Sequence, residues 1–262
     1  MVPITTTVHE PKSEARPFRR TCRPFVDGDY TEGGRGQYMV HPKYAQSAEH
    51  YVRAFLVLLK DVQELFDYVE PADCNLPCYS YRIHALLLRA CVEVEANCKA
   101  ILSENGYRRS GYWNMVDYRK VEKTHLLSGY EVLVPNWSGK HSVRTPFAAW
   151  GSGKSPAWYT AYNDSKHDRH GQFAKANFDH LLDACCGLLV VLSAQFGAND
   201  FCPGETFLSV EGRGDGMESG IGGYFRVRFP KNWPPEMRYS FDWQKLKDEP
   251  DPFASIDYRK IK

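Results

Sequence analysis

The sequence predicts a mainly α protein with a small β component: a four-helix bundle carrying a β-hairpin insertion and a β-rich C-terminal extension. Three observations predict it. Three stretches of the chain repeat apolar residues at helical spacings, and a further helix is read from its Ser155-Pro156 start. A segment between the second and third stretches, near 129–147, is instead β-prone and rich in turn residues. After Gly197 the composition shifts to short β-prone pieces between Gly-rich and Pro-rich loops. Four amphipathic helices with short connections bury their stripes most simply against one another.

Residues 1–40 hold scattered Pro and Gly together with Arg16, Arg19, Arg20 and Arg23. They read as a flexible basic arm, mobile or draped, ahead of a helical region at 41–198. Such an arm suits RNA phosphates, or it is a solvated tail.

The first helix falls between Tyr44 and Val69, where Ala48, Val52, Phe55, Leu59, Val62 and Phe66 form one stripe and Pro71 stops the pattern. "PADCNLPCYS" is a turn-rich connector ending in Ser80, a suitable N-cap. The second helix then runs from about Tyr81 to Glu104 with Leu87, Cys91, Val94, Cys98 and Ile101 as its seam, and Asn105-Gly106 is a left-handed stop. "GYEVLVP" (129–135) and "HSVRTPF" (141–147) flank "NWSGK" and predict the hairpin.

A third helix is expected from Ser155-Pro156, where serine caps and proline fits the first turn, to about His170. The fourth, about 175–196, is the most apolar, with Phe178, Leu181, Leu182, Cys185, Leu188, Leu189, Leu192 and Phe196. Residues 199–262 form the extension, in which "TFLSVEG", "YFRVRFP" and "RYSFDW" read as three strands able to join the hairpin in one small sheet.

Composition narrows the function classes. A formal charge of +1 gives no global attraction to nucleic acid or acidic lipid, so any such attraction is local. "MVPITTTVHEPKSEARPFRR" has no apolar core of signal-peptide length, so the expected location is the cytoplasm. The run "GLLVVLSAQFG" is short of a membrane span and follows Asp183, so it reads as a buried helix and no membrane partner is expected. Eight cysteines without a secretion signal read as reduced thiols. Cys74-x3-Cys78 and Cys185–Cys186 lack the paired knuckles of a zinc site, so no metal and no cofactor is expected. "WGSGKS" has Ala148 where a phosphate loop needs glycine, and "GDGMESGIGG" precedes no helix, so neither is a nucleotide loop.

The stretch that carries chemistry is "YNDSKHDRH", residues 162–170. On one continuous helix Asn163, His167 and His170 share a face, with Tyr159, Tyr162, Lys166 and Arg169 on the adjacent strip. Metal-independent RNA cleavage needs a base for the ribose 2′-hydroxyl, cations for the charged phosphorane and a donor for the leaving oxygen. His167 suits the first or last task, and Lys166 and Arg169 suit the second. Glu93 and Asn97 fall beside the seam of the second helix and are expected to orient His167. The other reading of the same residues is a polar network that fixes helix register.

The order of a long helix, the turn "VEP", the helix "LLLRACVEVEANCKAIL" and "WYTAYNDSKHDR" before a strongly apolar helix resembles bacterial proteins of the HEPN superfamily over about 44–197. Many of these are four-helix, dimeric, metal-independent ribonucleases of stress or phage defence; others are non-catalytic nucleotide-binding or scaffold domains. The family's usual signature is an arginine with a histidine a few positions after it, whereas here His167 precedes Arg169. What the resemblance implies is therefore position, a polar helix segment comparable to the family's active one. With the chemistry above, His167, Lys166, Arg169, Asn163 and Glu93 are the candidate catalytic residues, and the family analogy implies a homodimer. Single-stranded RNA is expected to stack on Trp158, Tyr159 or Tyr162 with His170 beside them. The alternative is a non-catalytic helical module binding a protein partner or a nucleotide. Exposure separates the two: an open cleft at His167 and Lys166 favours catalysis, and burial against Glu93 favours the lock.

Overall fold

The computed structural model describes residues 14–201 and 215–261. Its body is made of four long helices, α1 (Ala48–Phe66), α2 (Tyr81–Glu104), α3 (Ala157–His167) and α4 (Phe178–Phe196). The expected stripes are the buried ones. Ala48, Val52, Phe55, Leu59 and Val62 of α1 and the whole predicted seam of α2 are buried, and Phe66 packs at the edge. α1 starts with the stripe at Ala48 and not at Tyr44, because Ser47 sits in the left-handed region (φ 51°), which no α-helix continues through.

The caps follow from local chemistry. Ser80 Oγ accepts the Ile83 amide at 3.2 Å, and Asn177 Oδ1 accepts the His180 amide at 3.0 Å, each satisfying a donor that the first helical turn leaves free. Pro156, not Ser155, stands at the α3 cap. Gly106 (φ +81°) turns the chain after α2 in the conformation that glycine adopts without a Cβ clash.

α4 is long and apolar enough to cross a membrane by length and composition, but every residue from Ala184 to Phe196 is buried inside the fold. α2 packs along it, while α1 and α3 also lean on both. α4 is thus the core helix, and five cysteines (Cys22, Cys91, Cys98, Cys185 and Cys186) are buried around it or in the adjoining core. Burial pushes the Cys22 and Cys185 thiols up to about 12, which keeps them as small apolar fillers. Cys74 and Cys78 are exposed on the connector before α2.

The hairpin and the extension do join in one sheet. Its strands are β1 (Glu131–Leu133), β2 (Val143–Arg144), β3 (Glu218–Ser219) and β4 (Arg226–Arg228), in the order β2-β1-β4-β3 and antiparallel throughout. Val132 pairs with Arg144 on one side and Val227 on the other, so β4, inside the predicted "YFRVRFP", completes the hairpin. "TFLSVEG" (206–212) lies outside the described residues. "RYSFDW" is not a strand: Tyr239 makes only single bridges, to Glu14 and Phe25. Its ring is buried among Phe18, Phe25, Tyr38 and Phe241, and its hydroxyl donates to the Thr21 carbonyl at 2.8 Å. Among the described residues the extension is therefore mostly irregular chain held by aromatic packing.

Over residues 14–40 that packing gives a draped segment in place of a flexible one, and residues 1–13 of the arm lie outside the described residues. Residues 14–40 are draped on the bundle, and Arg20, Thr21, Cys22 and Arg23 are buried. The four arginines expected to be available to phosphate are engaged inside the molecule. Arg16 pairs with Glu249 and Arg19 with Asp251, Arg23 donates to the Thr124 carbonyl, and Arg20 enters the core.

Candidate functional site

α3 ends at Asp168, earlier than its pattern suggests. Asp168 leaves helical geometry (φ −133°, ψ 71°), and its carboxylate accepts the Gly171 amide at 2.9 Å, opening a separate short turn at Arg169–Gln172. A short acidic side chain that bonds the backbone two or three residues on competes directly with helix continuation. Arg169 and His170 are exposed on that turn, so His170 does not share the helical face of Asn163 and His167.

The aromatic residues of α3 face inward, against expectation. Trp158 is 1% exposed, Tyr162 2% and Tyr159 8%, so none presents a ring face on which a base can stack. The reason is the helix period: positions 158, 159, 161, 162 and 165 form the buried side of α3, facing α2 and α4. Trp158 Nε1 donates to the Pro146 carbonyl at 2.8 Å, which ties α3 to the end of the hairpin insertion.

Two polar contacts lock α3 to α2 or stiffen it, and Glu93 makes neither. The Tyr159 hydroxyl donates to Glu95 Oε1 at 2.8 Å, with the Asn163 side chain also reaching the phenol oxygen. Lys166 Nζ donates to the Tyr162 hydroxyl at 3.2 Å, and that bond raises the ammonium's pKa above the ordinary lysine value. Glu93 lies two residues from Glu95, on nearly the opposite side of α2. It is half-buried, desolvation raises its pKa, and the charge felt there is that of Arg89, whose guanidinium bonds Asp61 of α1. Asn97 also faces away from the motif, donating to the Glu93 carbonyl and accepting from Gln195 Nε2 at 2.9 Å. Neither residue orients His167.

The exposed end of α3 is different in kind. His167 is exposed and lines an open concavity of about 350 Å³ together with Asn163, Asp164, Asp168, Gln172 and Lys175. Lys175 Nζ pairs with Asp164 at 2.7 Å, joining the far wall to α3. Lys166 and Arg169 are exposed on either side of His167 in sequence. Among the described residues no three His, Cys, Asp or Glu side chains gather as metal ligands, although Asp164, His167 and Asp168 line one hollow.

Beside the same chain segment lies an open aromatic shelf that periodicity did not reveal. Tyr81 is 71% exposed and Tyr79 52%, and both pack on Phe173, with ring centroids 4.8 and 5.6 Å away. His84 lies behind them, its ring 5.6 Å from Phe173 and its buried Nε2 without a partner among the described residues. Residues 172–175 are thus a ridge shared by both features: Gln172 and Lys175 face the hollow and Phe173 carries the shelf. The cue in the sequence is Tyr79 and Tyr81 flanking the Ser80 cap, outside any apolar stripe.

Fold and site together define a mainly helical protein with one exposed imidazole-centred polar hollow and an aromatic shelf beside it. No family model, no curated protein and no solved structure matches the chain.

Proposed function

We propose that this is a HEPN-like, RNA-directed protein acting on single-stranded RNA, with metal-independent cleavage centred on His167. The observation that carries the reading is the open position of His167. An imidazole at the exposed end of an otherwise buried helix, next to Asn163 and with Lys166, Arg169 and Lys175 nearby, has no packing role. An exposed imidazole is a side chain suited to general acid–base work at the ribose.

In this reading His167 moves the proton at the 2′-hydroxyl or the leaving oxygen, and Arg169 and Lys175 meet phosphate charge. Lys166, held by Tyr162, is a fixed cation at the rim, and Asn163 positions rather than reacts. Glu93 has no part. Bases stack on Tyr81, Tyr79 and Phe173 instead of the buried tyrosines. A hollow this open leaves a transition state in water, where each charge contact is weak. A second copy facing the first, as the HEPN-like resemblance implies, would close it.

The second reading, a non-catalytic helical module, is favoured by the Tyr159–Glu95 bond, which ties α3 to α2, and by the Lys166–Tyr162 bond, which stiffens α3 within the motif. The test is RNA cleavage in EDTA by wild type and His167→Ala, on single-stranded and structured RNA, with product ends assayed for 2′,3′-cyclic phosphate. Cleavage lost in the variant supports the ribonuclease. Equal cleavage by both removes His167 from the chemistry and overturns the proposal as stated; none by either, with both folded and their dimerisation measured, supports the binding module.

A further inference from the structure

Cys74 and Cys78 are the exposed cysteines among the described residues, and the other five are buried. Burial pushes the thiols of Cys22, Cys91, Cys98, Cys185 and Cys186 up, so little of any of them is thiolate at neutral pH. An oxidant that consumes thiolate therefore meets the exposed pair first.

The chain between the two is wound into successive turns. The Asn75 amide donates to the Ala72 carbonyl at 3.1 Å, the Leu76 amide to the Asp73 carbonyl at 3.3 Å and the Cys78 amide to the Asn75 carbonyl at 2.9 Å. Leu76 continues the right-handed winding of Asp73–Asn75 (φ −52°, ψ −39°). Side chains four residues apart on a helical path lie one turn from each other, about 5–6 Å between Cβ atoms. A disulfide needs about 3.5–4.5 Å. Closing the pair thus asks for a local tightening on the order of 1–2 Å.

The two ends of this wound segment are held by different elements. Beside Cys74, the Asp73 carboxylate accepts Trp137 Nε1 at 2.7 Å and the Lys140 and His141 amides at 2.8 and 3.1 Å, all from the hairpin loop. The Asp73 amide also donates to the Ser138 carbonyl at 2.9 Å. Toward Cys78, the Leu76 and Cys78 carbonyls accept the Asp179 and Phe178 amides at 3.0 and 2.8 Å. These are donors that the first turn of α4 leaves free. Tyr79 follows directly, bridged to Asn177 and packed on Phe173. The clasp at Asp73 is the firmer anchor, so a tightening falls on Cys78 and passes to Tyr79.

We propose that Cys74 and Cys78 are a peroxide-sensitive dithiol whose closure to a disulfide draws Cys78 from the start of α4 and moves Tyr79 off Phe173. One thiolate attacks hydrogen peroxide, giving a sulfenic acid and one water; the second sulfur then attacks the sulfenic sulfur and releases another water. Two thiols lose two electrons and two protons, and one hydrogen peroxide becomes two waters. The dithiol stands whether or not the chain acts on RNA; only an effect of oxidation on RNA binding rests on that reading.

The test treats the full chain, carrying Cys202→Ser so that no thiol outside the described residues competes, with hydrogen peroxide and maps its peptides by mass spectrometry. The peptide spanning 74–78 should lose two hydrogens, reversibly with dithiothreitol, while the five buried cysteines stay reduced. Amide exchange at Phe178 should quicken on the order of 10-fold in the oxidised chain, the loss of one hydrogen bond. Cys78→Ser should abolish both effects and leave exchange in the reduced chain unchanged, and Cys74→Ser provides a second route if that variant misfolds. Oxidation that stops at sulfinic acid, a disulfide between molecules, or a 74–78 disulfide with exchange at Phe178 unaltered would each overturn the proposal. Where the reduced chain binds single-stranded RNA, peroxide should weaken that binding in the Cys202→Ser chain and not when Cys78→Ser is added. A reduced chain without RNA binding counts against the RNA reading and leaves the thiol assay to decide this one.

Discussion

Arg20 and Glu104 form an ion pair across 84 residues of chain, with Arg20 Nε 2.6 Å from Glu104 Oε1 and the arginine fully buried. The same guanidinium donates to Gln195 Oε1 at 2.9 Å and to the Gln46 carbonyl at 2.6 Å, so it joins the N-terminal segment to α2, α4 and the start of α1. Gln195 passes the network on to Asn97. Removing one partner of such a pair leaves the others buried and unsatisfied, whereas an apolar isostere removes the charge with its desolvation cost. Arg20→Ala should therefore lose about 3–5 kcal/mol of unfolding free energy in urea, and Arg20→Met distinctly less. Equal losses in the two variants would mean that packing, not the charge network, sets the contribution.

How much of this was readable in the sequence depends on how far apart the partners lie. The stripes of α1 and α2, the Ser80 cap and the Gly106 stop are written within a few residues and are found where the pattern puts them. Arg20 is the opposite case. Its partners are separated from it by 26, 84 and 175 positions, and an arginine among prolines and glycines carries no local mark of burial. At the candidate site the stretch itself was found, but not its division. Helical spacing treats 159–170 as one cylinder, whereas Asp168 breaks it by bonding Gly171. Choosing Glu93 over Glu95 was an error of face: α3 packs on the side of α2 that carries Glu95, a fact of tertiary packing.

His125 should make the fold sensitive to mild acid. It is fully buried, its Nε2 donates to the Arg20 carbonyl at 2.9 Å, and burial lowers its pKa to about 4. The unfolded chain binds a proton near pH 6.5 and the folded one does not until about 4. Between these values the unfolded state holds more protons, so stability falls as the pH falls. The loss by pH 4 amounts to about 3 kcal/mol from this group alone. Urea midpoints of wild type and His125→Gln, taken from pH 7 to pH 4, should diverge in slope, the variant being flatter. Parallel slopes would assign the acid sensitivity elsewhere.

Tyr159 and Glu95 separate structural from functional roles beside the motif. Tyr159→Phe removes one hydroxyl and takes its hydrogen bond from the half-buried Glu95 carboxylate. The expected cost is about 1–3 kcal/mol of stability, the penalty for an unsatisfied polar group. RNA binding and any RNA cleavage should be unchanged at temperatures where the variant is folded. A drop in RNA activity with stability intact would move Tyr159 from the lock to the site.

Tyr81 is the residue on which the RNA reading of the surface is most exposed to test. Its ring is 71% exposed and packs at a tilt on Phe173, so its removal disturbs little of the core. Stacking one base on such a ring contributes roughly 1–3 kcal/mol. Tyr81→Ala should therefore weaken single-stranded RNA binding by about 5- to 150-fold in fluorescence anisotropy at fixed salt, with thermal stability near wild type. The charge part is separable: Arg169→Ala should flatten the salt dependence of binding, because it removes one phosphate contact, while Tyr81→Ala leaves that slope alone. Tyr162→Ala offers the contrast, since its ring is 2% exposed and its loss should unfold the α2–α3 contact before it touches RNA. Unchanged affinity in Tyr81→Ala would place the path of the strand elsewhere and leave the shelf as a surface for a protein partner.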